Sequence, residues 1–155
     1  MRLSRQRGAP AKIALAVAVA ILGSPAGSVF GQQRSESAPS SGLTFHTAAG
    51  IAKVFLYDNA TANDLCRMAP VITTLKDRFA REKVGALPRS LAVDGDDRVV
   101  FEPGEVGYSI QSSSLVVFPR GFPLQDRFVR IGRVEEGLDL IAAPGPIEVR
   151  IDKDD

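Results

Sequence analysis

The chain has one cysteine, one histidine, two tyrosines and no tryptophan among its 155 residues. A single cysteine cannot close an intramolecular disulfide, so packing alone must hold the fold. Cys66 stands among Leu65, Met68 and Ala69 and reads as a structural thiol rather than a nucleophile. His46 has no second histidine and no cysteine pair to join, so no zinc or copper ligand set can be assembled. A Ser-His-acid arrangement has no motif behind it, because the G-x-S-x-G elbow is absent. No cofactor is implied. Long apolar runs are missing too. The longest, Ile13 to Leu22 (IALAVAVAIL), has ten residues, about half of the roughly 20 that span a bilayer.

That run follows a basic stretch, Arg2, Arg5, Arg7 and Lys12, and precedes Gly23-Ser24-Pro25-Ala26-Gly27. The layout is that of a secretory signal peptide, residues 1–31, cut after Gly31; a cut after Ala26 and a retained anchor are the alternatives. The expected location is periplasmic or extracellular, with no integral membrane segment after cleavage. Losing residues 1–31 removes four of nineteen basic residues and none of eighteen acidic ones, turning a net charge of +1 into −3. A mildly acidic chain without a basic block argues against nucleic acid as a partner. Residues 32–42 (QQRSESAPSSG) form a polar leader. Residues 43–155 are then one domain with one core.

Within it, Leu43–Thr47 and Ile51–Tyr57 read as strands about an Ala49-Gly50 turn. Asp58 or Asn59 caps a short helix over Thr61–Met68, which Pro70 ends. Val71–Phe79 alternates as a half-buried strand, with Val71, Thr73, Leu75 and Phe79 in phase, and Lys83–Leu87 follows. Asp94-Gly95-Asp96-Asp97 lacks the spaced ligands of a calcium loop and reads as a solvated acidic turn. Val106–Ile110 and Leu115–Phe118 pair as a hairpin across Gln111–Ser114, after which Leu124–Arg127 reads as a loop. Phe128–Val134 is a strand, Glu135–Ala142 a second short helix and Ile147–Ile151 the last strand. About eight strands with little intervening helix predict a mainly β fold, a small barrel plugged by two short helices.

The most polar stretch, KVFLYDNATANDLCRMAP (Lys53–Pro70), poses the question of a reactive cluster. Capping explains it: Tyr57-Asp58-Asn59 is where a strand turns into a helix with exposed backbone donors. Four segments in order, LYDNATANDL, EKVGALP, PGEVGY and IGRVEEGLDLI, resemble signature segments of the small bacterial cyclophilin-like proteins. The resemblance runs from about Lys53 to Ile151 and implies a closed cyclophilin-like β-barrel with helices at its ends. It departs from the family pattern at Gln111–Ser114, at Ser109 and at Phe118-Pro119-Arg120-Gly121-Phe122, where aromatic surface and a carboxylate are lost.

Three functions follow as expectations. The first is a non-catalytic barrel that binds a small molecule or a proline-containing peptide in a pocket near Tyr108, Phe118, Arg120 and Phe122. The second is a peptidyl-prolyl isomerase of the cell envelope. Such an enzyme needs an apolar seat for the proline ring and a guanidinium on the prolyl nitrogen, and it works by preorganised electrostatics. The recognised isomerase segments have no counterpart here, so Arg89 and Arg120 are the candidate substitutes; otherwise both are surface arginines at strand ends. The third is a structural or assembly partner with no pocket.

Overall fold

Alternation builds the barrel wall strand by strand. In the computed structural model, which describes residues 41–94 and 98–154, β1 (Gly42–Thr47) buries Leu43 and Phe45. β2 (Gly50–Leu56) buries Ala52, Val54 and Leu56 with the same period of two. Thr47 makes the turn between them: its Oγ1 accepts from the amides of Ala49 and Gly50 and donates to the Gly50 carbonyl. The expected signal peptide, most of the leader and residues 95–97 of the Asp94–Asp97 turn lie outside the described residues.

Asn59 caps α1 (Ala60–Met68), its Oδ1 accepting from the Ala62 amide at 2.8 Å while its Nδ2 donates to the Arg130 carbonyl. One side chain thus starts the helix and ties it to the barrel. α1 presses Ala62 and Leu65 into the core, and Cys66 packs partly buried against it. β3 (Val71–Arg78) and β4 (Glu82–Ala86) follow. Phe79, expected on the inner side of this strand, is instead 76% exposed. The strand ends at Arg78, and Phe79 and Ala80 have φ of 52° and 53°, the paired positive values of a tight hairpin turn. The turn takes priority over the hydrophobic alternation.

β5 (Arg98–Phe101) leads to the hairpin of β6 (Glu105–Ser109) and β7 (Ser114–Phe118). The expected loop at Leu124–Arg127 is largely a strand, β8 (Phe122–Asp126), antiparallel to β5 in a separate two-stranded ribbon. Pro123 obscured it in the sequence, yet a ribbon strand tolerates a missing N–H. β9 (Phe128–Glu136) runs further than expected, so the two glutamates belong to a strand and α2 is only Leu138–Ala142. Gly137 divides them at φ 75°; a Cβ there would lie 2.7 Å from the Ile51 carbonyl. β10 (Ile147–Lys153) is the last strand.

Eight of the ten strands close into an antiparallel barrel in the order β1-β10-β3-β4-β7-β6-β9-β2. Closure leaves the barrel wall without a free edge. The main core fills the interior, with Phe45, Leu75, Leu115, Ile131, Ile141 and Ile151 all at 0% exposure. A second cluster, Phe101, Val116, Phe118 and Phe128, lies between the outer wall and the β5–β8 ribbon. The fold is therefore mainly β, a closed barrel with two short helices.

Candidate functional site

The five residues that the sequence nominated fall in two places. Arg89 belongs to a strap, residues 89–94, laid beside α1, and Tyr108 of β6 holds that strap from the barrel side. Arg89 donates to both carboxylate oxygens of Asp64 at 2.8 and 2.9 Å, and the Ala92 amide donates to the same carboxylate at 2.9 Å. The guanidinium hydrogen bonds, then the backbone one, hold the Asp64 carboxyl far below the usual carboxylate range. Tyr108 is 1% exposed and its hydroxyl accepts from the Leu91 amide at 3.1 Å. Thr61 Oγ1 exchanges hydrogen bonds with the amide and carbonyl of Asp94. The phenol is thus spent on the strap's backbone and the guanidinium on the Asp64 carboxylate.

Phe118 is fully buried, its ring stacked on Phe101 at 4.0 Å between centroids. Phe101 in turn lies over Gly107, where a Cβ would come within 2.7 Å of the ring. Phe122 extends the cluster, edge-on to Phe118 at 6.0 Å. Its ring also meets the Arg81 guanidinium, 5.8 Å from the centroid.

Arg81 opens onto a cleft of about 350 Å³ between the β3–β4 turn, residues 119–120 and α2. Arg120 and Asp139 of α2 line it as well; Ala80, Pro119, Leu138 and Ala142 supply apolar surface. Of the five nominated residues, Arg120 lines this cleft and Phe122 reaches it through Arg81. Phe118 packs beneath Phe122, and the other two are held elsewhere.

The remaining charges of the cleft satisfy one another. Lys83 is 1% exposed, yet it ends in three partners. Its ammonium donates to the carbonyls of Ala143 and Gly145, the exit of α2, and lies 2.8 Å from Asp77 Oδ1. Asp77 Oδ2 accepts from the Gly145 amide at 2.6 Å. The Lys83 hydrogen bond, then this amide, lowers the Asp77 carboxyl below its ordinary value. Glu82 is 5% exposed and pairs with Arg78. Among the described residues, neither Arg81 nor Arg120 has a carboxylate partner. Arg81, Lys83, Asp77 and Asp139 were not nominated from sequence. Asp77 and Lys83 are direct cross-strand neighbours, a signal that exists only once the β3–β4 register is known.

Elsewhere on the barrel, Glu105 is buried at 5% exposure, accepting from the Tyr57 hydroxyl at 3.0 Å and facing Arg130 Nε at 3.1 Å. Burial, reinforced by that carboxylate, pushes the Tyr57 phenol above its ordinary value. Among the described residues no group of three or more His, Cys, Asp or Glu could hold a metal ion. Nor is any described helix long and apolar enough to cross a membrane.

The fold defines a class of mainly β proteins, a closed eight-stranded antiparallel barrel with two short helices packed against its core. The model of the Cyclophilin-like family matches residues 47–152, and the chain belongs to that family. It is also similar to the solution structure of a hypothetical protein from Archaeoglobus fulgidus. That likeness has a TM-score of 0.59 at 17% identity, covering 73% of this chain and 94% of the other. At that identity the likeness concerns the fold alone. No curated protein matches the chain.

Proposed function

We propose that this chain is an exported, non-catalytic binding barrel of the Cyclophilin-like family whose ligand seat is the cleft beside Arg120. The observation that carries the reading is the pair of guanidiniums, Arg81 and Arg120, facing one concave space with apolar lining. A volume of about 350 Å³ lies within the range of small-ligand sites. The basic stretch and ten-residue apolar run at the N-terminus support export. A non-catalytic role is favoured by the state of the aromatic surface: Phe118 is covered by Phe101 and offers no open seat for a proline ring.

Amide-resolved NMR with a library of small acids, bases, neutral molecules and short peptides tests the seat. Ligands are expected to shift amides of residues 80–83, 119–122 and 138–142, and Arg120→Ala is expected to abolish those shifts. Shifts confined to other faces would refute the assignment. A protease-coupled cis/trans assay on X-Pro peptides is expected to stay at background. A rate that falls in Arg120→Ala or Arg89→Ala would make the protein an isomerase instead. N-terminal sequencing of envelope protein is expected to begin at Gln32.

A further inference from the structure

The charges around the cleft are sorted. Lys83 is neutralised by Asp77 and two carbonyls, and Glu82 by Arg78, so neither is available to a ligand. What faces the space is Arg81 and Arg120 from the two turns and Asp139 from α2. Arg81 is further steadied against the Phe122 ring, which reduces the freedom it loses on binding.

A guanidinium presents its donors in a planar fork that matches a carboxylate. Two guanidiniums against one carboxylate leave one net positive charge, enough for a monoanion. A dianion such as phosphate gains more from the arginines and is also repelled more by Asp139. Ala80, Pro119, Leu138 and Ala142 give an apolar surface for the rest of the ligand. Resting on the binding-seat reading above, we infer that the cleft recognises a carboxylate-terminated ligand with an apolar body. Arg81 and Arg120 take the carboxylate, and the apolar surface takes the chain. A free branched-chain acid and the C-terminus of a peptide share this chemistry.

Titration followed by amide shifts tests this with five probes: isovalerate, isovaleramide, the tripeptide Ala-Ala-Leu, its C-terminal amide and inorganic phosphate. The acids are expected to shift cleft amides and to bind about tenfold more tightly than the matching amides. Isovalerate binding as well as the tripeptide identifies a small acid; a clear preference for the tripeptide identifies a peptide terminus. Arg81→Gln and Arg120→Gln should each weaken the acids, whereas Asp139→Asn should tighten them about twofold to fivefold. Opposite signs at neighbouring surface positions would not arise from loss of structure. Amides binding as tightly as acids, or phosphate binding more tightly than isovalerate, overturns the inference and leaves the seat standing. Cleft amides silent to all five probes also overturn it, and the wider library then decides the seat itself.

Discussion

Arg89 and Asp64, 25 residues apart, form a two-pronged ion pair that fixes the strap against α1. The pair is asymmetric: the arginine side chain is 51% exposed, the carboxylate only 13%. Removing the arginine leaves Asp64 with the Ala92 amide and a 3.7 Å approach from Arg67. Removing the aspartate strands a guanidinium that water can reach, but it also strands the Ala92 amide.

Asp64→Ala is therefore expected to cost about 2 kcal/mol and Arg89→Ala clearly less, because its guanidinium is open to solvent. Urea unfolding measures both. Hydrogen exchange should quicken at Leu91, Ala92 and Asp94 before it does in the barrel strands. Uniform acceleration throughout would remove the strap as a local unit.

Acid should weaken the fold through the same carboxylate. Asp64 titrates below its ordinary value when folded, as do Asp77 beside Lys83 and Asp154 beside Lys53. The unfolded chain then takes up these protons first. The contribution is complete above the unfolded carboxyl range, near pH 4, and is lost as pH falls towards the folded values. The urea midpoint is expected to drop between about pH 5 and pH 2.5, and less steeply in Asp64→Asn. Equal slopes in the two proteins would show that the pair contributes nothing to acid sensitivity.

Gly107 determines whether the β5–β8 ribbon can dock. A methyl group there would meet Phe101 at 2.7 and 2.8 Å and Phe118 at 3.3 Å. Gly107→Ala should cost about 1–3 kcal/mol by overpacking and open the ribbon to limited proteolysis. Phe101→Leu in the same chain should recover part of that loss, a coupling that a double-mutant cycle measures. Strictly additive costs would mean that the two residues do not meet.

Lys83→Met keeps most of the buried stem and deletes the ammonium, leaving Asp77 and two carbonyls without their donor. The expected cost is about 1–2 kcal/mol, because two carbonyls lose a charged donor while Asp77, 44% exposed, keeps the Gly145 amide and access to water. Calorimetry gives the loss, and faster exchange of the Gly145 amide locates it at the exit of α2. An unchanged melting temperature would contradict the arrangement.

Local rules made much of this fold legible. Asp58-Asn59 before a short helical segment announces a helix start, and of the two it is Asn59 whose side chain caps α1. Val71, Thr73 and Leu75 alternate, and all three are buried. The same rules misread Phe79, Leu124–Arg127 and Glu135–Glu136. A local turn with two positive φ values decides at Phe79, and distant partners decide at the other two: β5 opposite β8, and the Lys53–Glu136 rung of the β2–β9 ladder. Of the nominated site residues, the sequence marked aromatic and basic character correctly but not which groups were already engaged. Arg89 and Tyr108 look free on paper and are anchored in space.

By itself the sequence determined the β-rich class, the places of most strands along the chain and the start of the first helix, because these follow from side-chain periodicity and neighbours along the chain. Tertiary structure decided the rest. Closure of the barrel set Lys83 against Asp77 and the α2 carbonyls, and brought Arg81 and Arg120 from separate turns to one cleft. A charge becomes available to a ligand only when its nearer partners are taken up or absent, and strand register fixes which partners those are.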